Sequence, residues 1–138
     1  ARRMGRMDTI TLTPEQRLDL AQRYVEVWNE TDAQQRRARI RALWQPEGVH
    51  YVRTLVAQGY EALEQRVESS HDKNVRQNGY RFRLSGEPQQ LQDALLMHWD
   101  MVQPGSKTLE AYGLVFMKLA PDGRIATDYQ FVLPTPGG

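Results

Sequence analysis

The sequence predicts an α+β domain, with helices covering one face of a strongly curved sheet. Helical spacing of apolar residues dominates the first half, and strand-like alternation dominates the second. Short turns at Asn78-Gly79, Pro104-Gly105-Ser106 and Pro121-Asp122-Gly123 separate the late strands, so these should pair antiparallel. With 138 residues, the chain can build one domain with a real core.

Residues 1–12 read as a flexible N-terminal arm, 13–134 as a single domain, and 135–138 as a tail. The first helix has a clear start. Thr13 is the expected N-cap, Pro14 suits the first helical position, and Gln16 completes a capping box. Leu18, Ala21, Val25 and Trp28 follow at helical spacing, with Leu20, Tyr24 and Val27 widening the apolar face. The helix should end near Asn29. Asp32 caps a second helix carrying Ile40, Leu43 and Trp44, with Pro46 and Gly48 expected to end it. Val49 to Val56 reads as one strand, and Tyr60 to about Asn74 as a third helix. Tyr80 to Ser85, Leu91 to Val102, Thr108 to Leu119 and Arg124 to Leu133 are the remaining strands.

Charge is uneven along the chain. There are 18 basic and 17 acidic residues, a formal +1. Without Arg2, Arg3 and Arg6 the count is 15 against 17, so the body is mildly acidic. Arg36, Arg37, Arg39 and Arg41 form a basic run. It reads as a solvated helix face, because the acidic body and the lack of a recognition motif argue against a nucleic-acid partner. The absence of cysteine excludes a disulfide scaffold, a thiolate nucleophile and Cys-ligated zinc. No apolar run is long enough to span a membrane, and a cytoplasmic location is the expectation. The chain has no glycine-rich phosphate loop, GxSxG elbow or dinucleotide fingerprint.

Taken together, several segments resemble the nuclear transport factor 2-like superfamily, and most of all its SnoaL-like polyketide cyclase branch. They are Tyr24-Val25-Glu26-Val27-Trp28-Asn29-Glu30-Thr31-Asp32, Ala42-Leu43-Trp44, Gly48-Val49-His50-Tyr51-Val52, Gly59 with its helix, Phe82-Arg83-Leu84-Ser85-Gly86 and Asp122-Gly123-Arg124-Ile125. The similarity spans about residues 14–134. It implies a cone-shaped domain: a strongly curved mixed or antiparallel sheet wrapped around N-terminal helices, with one internal pocket. It also implies a homodimer through the outer sheet face. Members include isomerases, cyclases, epoxide-hydrolase-like enzymes and non-enzymatic proteins, so function must be argued from residues.

His98 and Asp100 are two apart on a strand and share a face. If that face is inward, Asp100 is a candidate base and His98 its proton partner. Met97, Trp99 and Met101 form the more apolar phase, and if they point inward the pair points out. Asp128, on the last strand, is a second candidate acid or orienting group. In the epoxide hydrolase branch two carboxylates flank an arginine and a water. By that resemblance Asp100 and Asp128 would be the carboxylates, with His98 where the arginine is wanted. Arg53 stands where isomerase-like relatives keep an acidic base, so that mechanism is not expected; Arg53 would instead bind a substrate carboxylate or enolate, or pair with a neighbouring glutamate.

Tyr24, Trp28, Tyr51, Tyr112 and Phe116 are candidate pocket-lining residues, and a tyrosine hydroxyl could serve an oxyanion. His50, His71 and His98 lack the short spacings of a zinc motif, so no metal is expected. The resulting expectation is a cofactor-free enzyme acting on a hydrophobic small molecule by general acid–base chemistry, as a cyclase, isomerase or epoxide hydrolase. The alternative is a non-catalytic ligand-binding or interaction domain.

Overall fold

The computed structural model describes residues 10–134; the arm's Arg2, Arg3 and Arg6 and the tail 135–138 lie outside them. Helix α1 spans Pro14–Asn29 and is closed at its start by the expected box. The Gln16 amide donates to Thr13 Oγ1 at 3.1 Å, and the Thr13 amide donates to Gln16 Oε1 at 2.9 Å. Its buried face carries Leu20, Ala21, Tyr24, Val25, Val27 and Trp28. Helix α2 spans Ala33–Leu43, and Asp32 Oδ1 accepts from the amides of Gln34 and Gln35.

Strand β1 (Trp44–Val52) begins directly after α2. Pro46 and Gly48 therefore lie inside a strand rather than ending a helix, and the register shift between Trp44 and Val49 accommodates them. The expected single strand 49–56 is a hairpin. Arg53 adopts a left-handed φ of 50°, which turns the chain into β2 (Leu55–Gln58). Helix α3 (Gly59–Ser70) then continues as a π-helical segment, His71–Gln77. Strands β3 (Arg81–Leu91), β4 (Ala94–Val102), β5 (Leu109–Leu119) and β6 (Ile125–Leu133) complete the chain. β3 runs past Gly86 and Pro88, with a register shift between Ser85 and Gln89.

The six strands form one sheet in the order β2-β1-β6-β5-β4-β3. All neighbours are antiparallel except β1 and β6, which are parallel. This corrects part of the expected architecture. The α+β class, the mixed sheet and the N-terminal helices stand, but the sheet is open and not strongly curved or closed around the helices. β2 and β3 are its two edges and do not pair with each other. Nor do the described residues enclose one internal pocket. Tyr24, Trp28, Trp44, Leu63, Met97 and Met117 fill the space between helices and sheet, and several open clefts remain at the surface.

Strand phase follows from burial. Leu95, Met97 and Trp99 of β4, and Val115 and Met117 of β5, face the helices. Among the described residues no helix is long and apolar enough to cross a membrane.

Candidate functional site

Parallel pairing of β1 with β6 sets His50 beside Asp128, 78 residues away in sequence. Both side chains are fully buried against the helices. Asp128 is the shared acceptor of three donors. Tyr24 Oη donates to Oδ2 at 2.7 Å, and Trp44 Nε1 donates to Oδ1 at 2.9 Å. His50 Nδ1 lies 2.8 Å from Oδ2. Since a carboxylate only accepts, this contact assigns the proton to Nδ1 and leaves Nε2 as an acceptor. Arg66 uses it: its Nε donates to His50 Nε2 at 3.3 Å.

Arg66 joins this buried chain to the surface. Its Nη2 donates to Gln130 Oε1 at 2.9 Å, and its guanidinium carbon sits 4.9 Å from the centre of the Trp28 ring. Burial lowers its pKa from the usual arginine value; Arg53 pushes the same way, while Tyr24 and Asp128 oppose it. The Tyr24 hydroxyl is pushed well above the usual tyrosine value, first by burial and then by the Asp128 charge. Tyr24 is therefore a fixed donor across the neutral range.

Arg66 also lines a cleft of about 360 Å³, together with Arg53, Lys73, Phe82, Trp99 and Met101. This is within the size range of small-molecule sites. Two other clefts, of about 560 Å³ each, are larger but do not include Arg66. The smaller cleft is the candidate site because the buried acid–imidazole pair ends at its wall.

The candidates named from the sequence separate into two groups. Asp128, Tyr24 and Trp28 meet at the buried network, and Arg53 stands at the cleft. His98, Asp100, Tyr51, Tyr112 and Phe116 do not join them. Large apolar side chains take the inward phase of β4, so His98 is exposed and Asp100 pairs with Arg83 at 3.3 Å. The condition under which His98 and Asp100 would serve a pocket, an inward-facing pair, is therefore not met. Tyr112 is paired opposite Asp100. Tyr51 stacks on Tyr129 with ring centres 4.8 Å apart, and Phe116 lies 6.3 Å from the same ring, on the outer face.

Sequence reasoning gave His50 too little weight and missed Arg66. His50 was legible as an alternating strand residue, but its partner depended on a parallel pairing that no local signal announces. Arg66 reads as one more helix arginine until α3 is laid over β1. Among the described residues, no group of three or more His, Asp or Glu side chains is placed to hold a metal ion.

Three helices over one six-stranded mixed sheet give this chain a nuclear transport factor 2-like fold. The chain is similar in structure to proteins of the nuclear transport factor 2-like, SnoaL-like superfamily. Its structure is similar to that of a candidate isomerase of the SnoaL-like family from Agrobacterium tumefaciens strain C58. The TM-score is 0.78 at 26% identity, over 87% of this chain and 99% of the other. A nuclear transport factor 2-like protein of unknown function from Exiguobacterium sp. 255-15 shares the fold at TM-score 0.66 and 19% identity, covering 84% and 99% of the two chains. A candidate polyketide cyclase from Sinorhizobium meliloti does so at TM-score 0.60 and 15% identity, covering 81% and 93%. No family model matches the sequence, and no curated protein matches it.

Proposed function

We propose that this chain is a cofactor-free enzyme that moves a proton on a small, partly apolar carbonyl compound held in the cleft, in isomerase or cyclase chemistry. The observation that carries the reading is the buried Asp128–His50 pair, 2.8 Å apart, whose second imidazole nitrogen accepts from Arg66 at the cleft wall. His50 Nε2 takes a proton from the carbon next to the carbonyl. The C–H electron pair forms the enolate double bond, the carbonyl π pair moves to oxygen, and the Arg66 N–H, keeping its proton, shifts its hydrogen bond from His50 to that oxygen. Asp128 holds the Nδ1 proton throughout and stabilises the imidazolium that forms. Return of the proton to another carbon completes an isomerisation. Attack of the enolate carbon on an electrophilic carbon completes a cyclisation. The candidate isomerase from Agrobacterium tumefaciens supports this class of reaction.

Deuterium exchange into β-tetralone and phenylacetone tests it. Wild-type protein in heavy water should accelerate exchange next to the carbonyl, and His50→Gln should lower that rate by about a hundredfold. Exchange by His50→Gln at the wild-type rate would remove His50 as the base.

One observation favours a second reading, a non-catalytic ligand-binding domain. His50 is fully buried and its Nε2 is already engaged by Arg66. On that reading Asp128 and His50 only hold Arg66 in place, and ligands bind without any proton exchange.

The outer sheet face is the proposed homodimer surface. Phe116, Tyr129 and Phe131 are 38–50% exposed there. A single-chain mass in sedimentation equilibrium at micromolar concentration would rule it out.

A further inference from the structure

The cleft is electrostatically one-sided. Arg53, Arg66 and Lys73 contribute to its lining, and no Asp or Glu does. Among the described residues none of these three cations makes a salt bridge, whereas Arg23, Arg37, Arg39, Arg41, Arg76, Arg83 and Arg124 all do. The three come from separate elements. Arg53 sits at the left-handed corner of the β1–β2 hairpin, Arg66 on α3, and Lys73 on the π-helical segment. Such π-helical segments are frequent at functional sites, and this one places Lys73 and Asn74 on the cleft.

Like charges gathered without a partner repel. Arg53 helps to hold the Arg66 pKa down, alongside the larger effect of burial. An anion in the cleft would relieve that repulsion. The same lining holds apolar and aromatic side chains, Phe82, Trp99 and Met101, beside polar Ser69, Ser70, Asn74 and Gln130. Trp99 is 5% exposed, and its buried indole N–H has no acceptor among the described residues. A wall of flat apolar side chains beside a planar guanidinium suits a flat apolar body carrying a carboxylate, since guanidinium matches that group's two oxygens.

We infer that the cleft selects flat, apolar carboxylates, with Arg66, Arg53 and Lys73 receiving the carboxylate and Phe82, Trp99 and Met101 receiving the apolar body. For turnover this names the substrate class of the proposed reaction and rests on that reading, so the substrate would be an aromatic or alicyclic keto acid. Binding of the carboxylate does not depend on any proton transfer.

Calorimetry with β-naphthoate and indoleacetate against β-naphthamide and indoleacetamide separates the two. Each carboxylate should bind wild-type protein at least about tenfold more tightly than its amide, with affinity falling as salt rises. The double variant Arg53→Gln/Lys73→Gln, at exposed positions where folding is not at stake, should lose most of that preference. Amides binding as tightly as carboxylates, or a preference undiminished in the double variant, would overturn the inference, as would failure of both carboxylates to bind below about 1 mM. A preserved carboxylate preference with no deuterium exchange would instead count against the proposed reaction alone.

Discussion

Replacing Asp128 by Asn exchanges a single heavy atom, yet the network has no arrangement that absorbs the change. Asp128 accepts from Tyr24 and His50 at Oδ2 and from Trp44 at Oδ1. Asn supplies one acceptor oxygen and one NH₂ group that only donates. With the amide oxygen toward Tyr24 and His50, the NH₂ faces the Trp44 N–H. Flipped, it faces both of the other donors. His50 could turn to its other tautomer and accept at Nδ1, but its Nε2 proton would then face the Arg66 N–H. Every choice leaves at least one buried donor unsatisfied.

An unsatisfied buried donor costs about 1–3 kcal/mol, and loss of the charge-assisted bonds adds to it. The expected destabilisation is about 3 kcal/mol, or about 10 °C in Tm for a chain of this size. Urea denaturation followed by circular dichroism measures it, with Asp100→Asn as the control. Asp100 pairs at 3.3 Å with Arg83, whose side chain is 58% exposed, so that change should cost less than about 0.5 kcal/mol. An Asp128→Asn protein within about 0.5 kcal/mol of wild type would refute the claim that one ionised carboxylate organises the site.

Two further outcomes follow from the same geometry. Tyr24→Phe should cost about 1 kcal/mol at neutral pH. The Tyr24 pKa is raised in the folded chain, so the unfolded chain releases this proton first, above about pH 10. Its stabilisation is fully present below that pH and is lost as pH rises further. Denaturation at a series of pH values should therefore show the gap between wild type and Tyr24→Phe constant below about pH 9 and narrowing above about pH 10; a gap unchanged at higher pH contradicts the raised pKa. Gly113→Ala should destabilise by about 3 kcal/mol or more, because a Cβ there would overlap the Phe131 carbonyl oxygen and the Trp99 ring. A Tm within a few degrees of wild type would show that β5 and β6 are not packed as described.

The elements that proved legible are those built by local forces. Thr13 and Gln16 cap α1 as their spacing predicts, and Asp32 caps α2. The last two strands fall close to their expected ranges because a period of two survives any tertiary context, whereas β3 runs six residues past Ser85 and takes in Leu91, the expected start of β4. The misreadings lie where tertiary contact overrides local preference. Pro46 and Gly48 look like helix terminators, but the chain passes straight into β1 and absorbs them in a bulge. Arg53 is an ordinary strand residue by propensity, yet it sits in a left-handed turn.

The candidate site divides in the same way. Asp128, Tyr24 and Trp28 were legible as polar or aromatic residues on otherwise apolar elements, and each is buried at the network. The choice between the two faces of β4 was not legible, because His98 and Asp100 alternate with Met97 and Trp99 in a pattern that admits either phase. Burial of Leu95, Met97 and Trp99 against the helices decided it.

By itself, then, the sequence determined the α+β class, the capped helices, the last two strands and the absence of thiol chemistry, all of which depend on composition or on neighbours within a few residues. Only the tertiary structure decided that the sheet is open, that His50 meets Asp128 and that Arg66 reaches them from α3. Those three facts rest on contacts between residues far apart in the chain. A parallel β1–β6 pairing and the packing of α3 over it are set by how the whole core fills, not by any one segment.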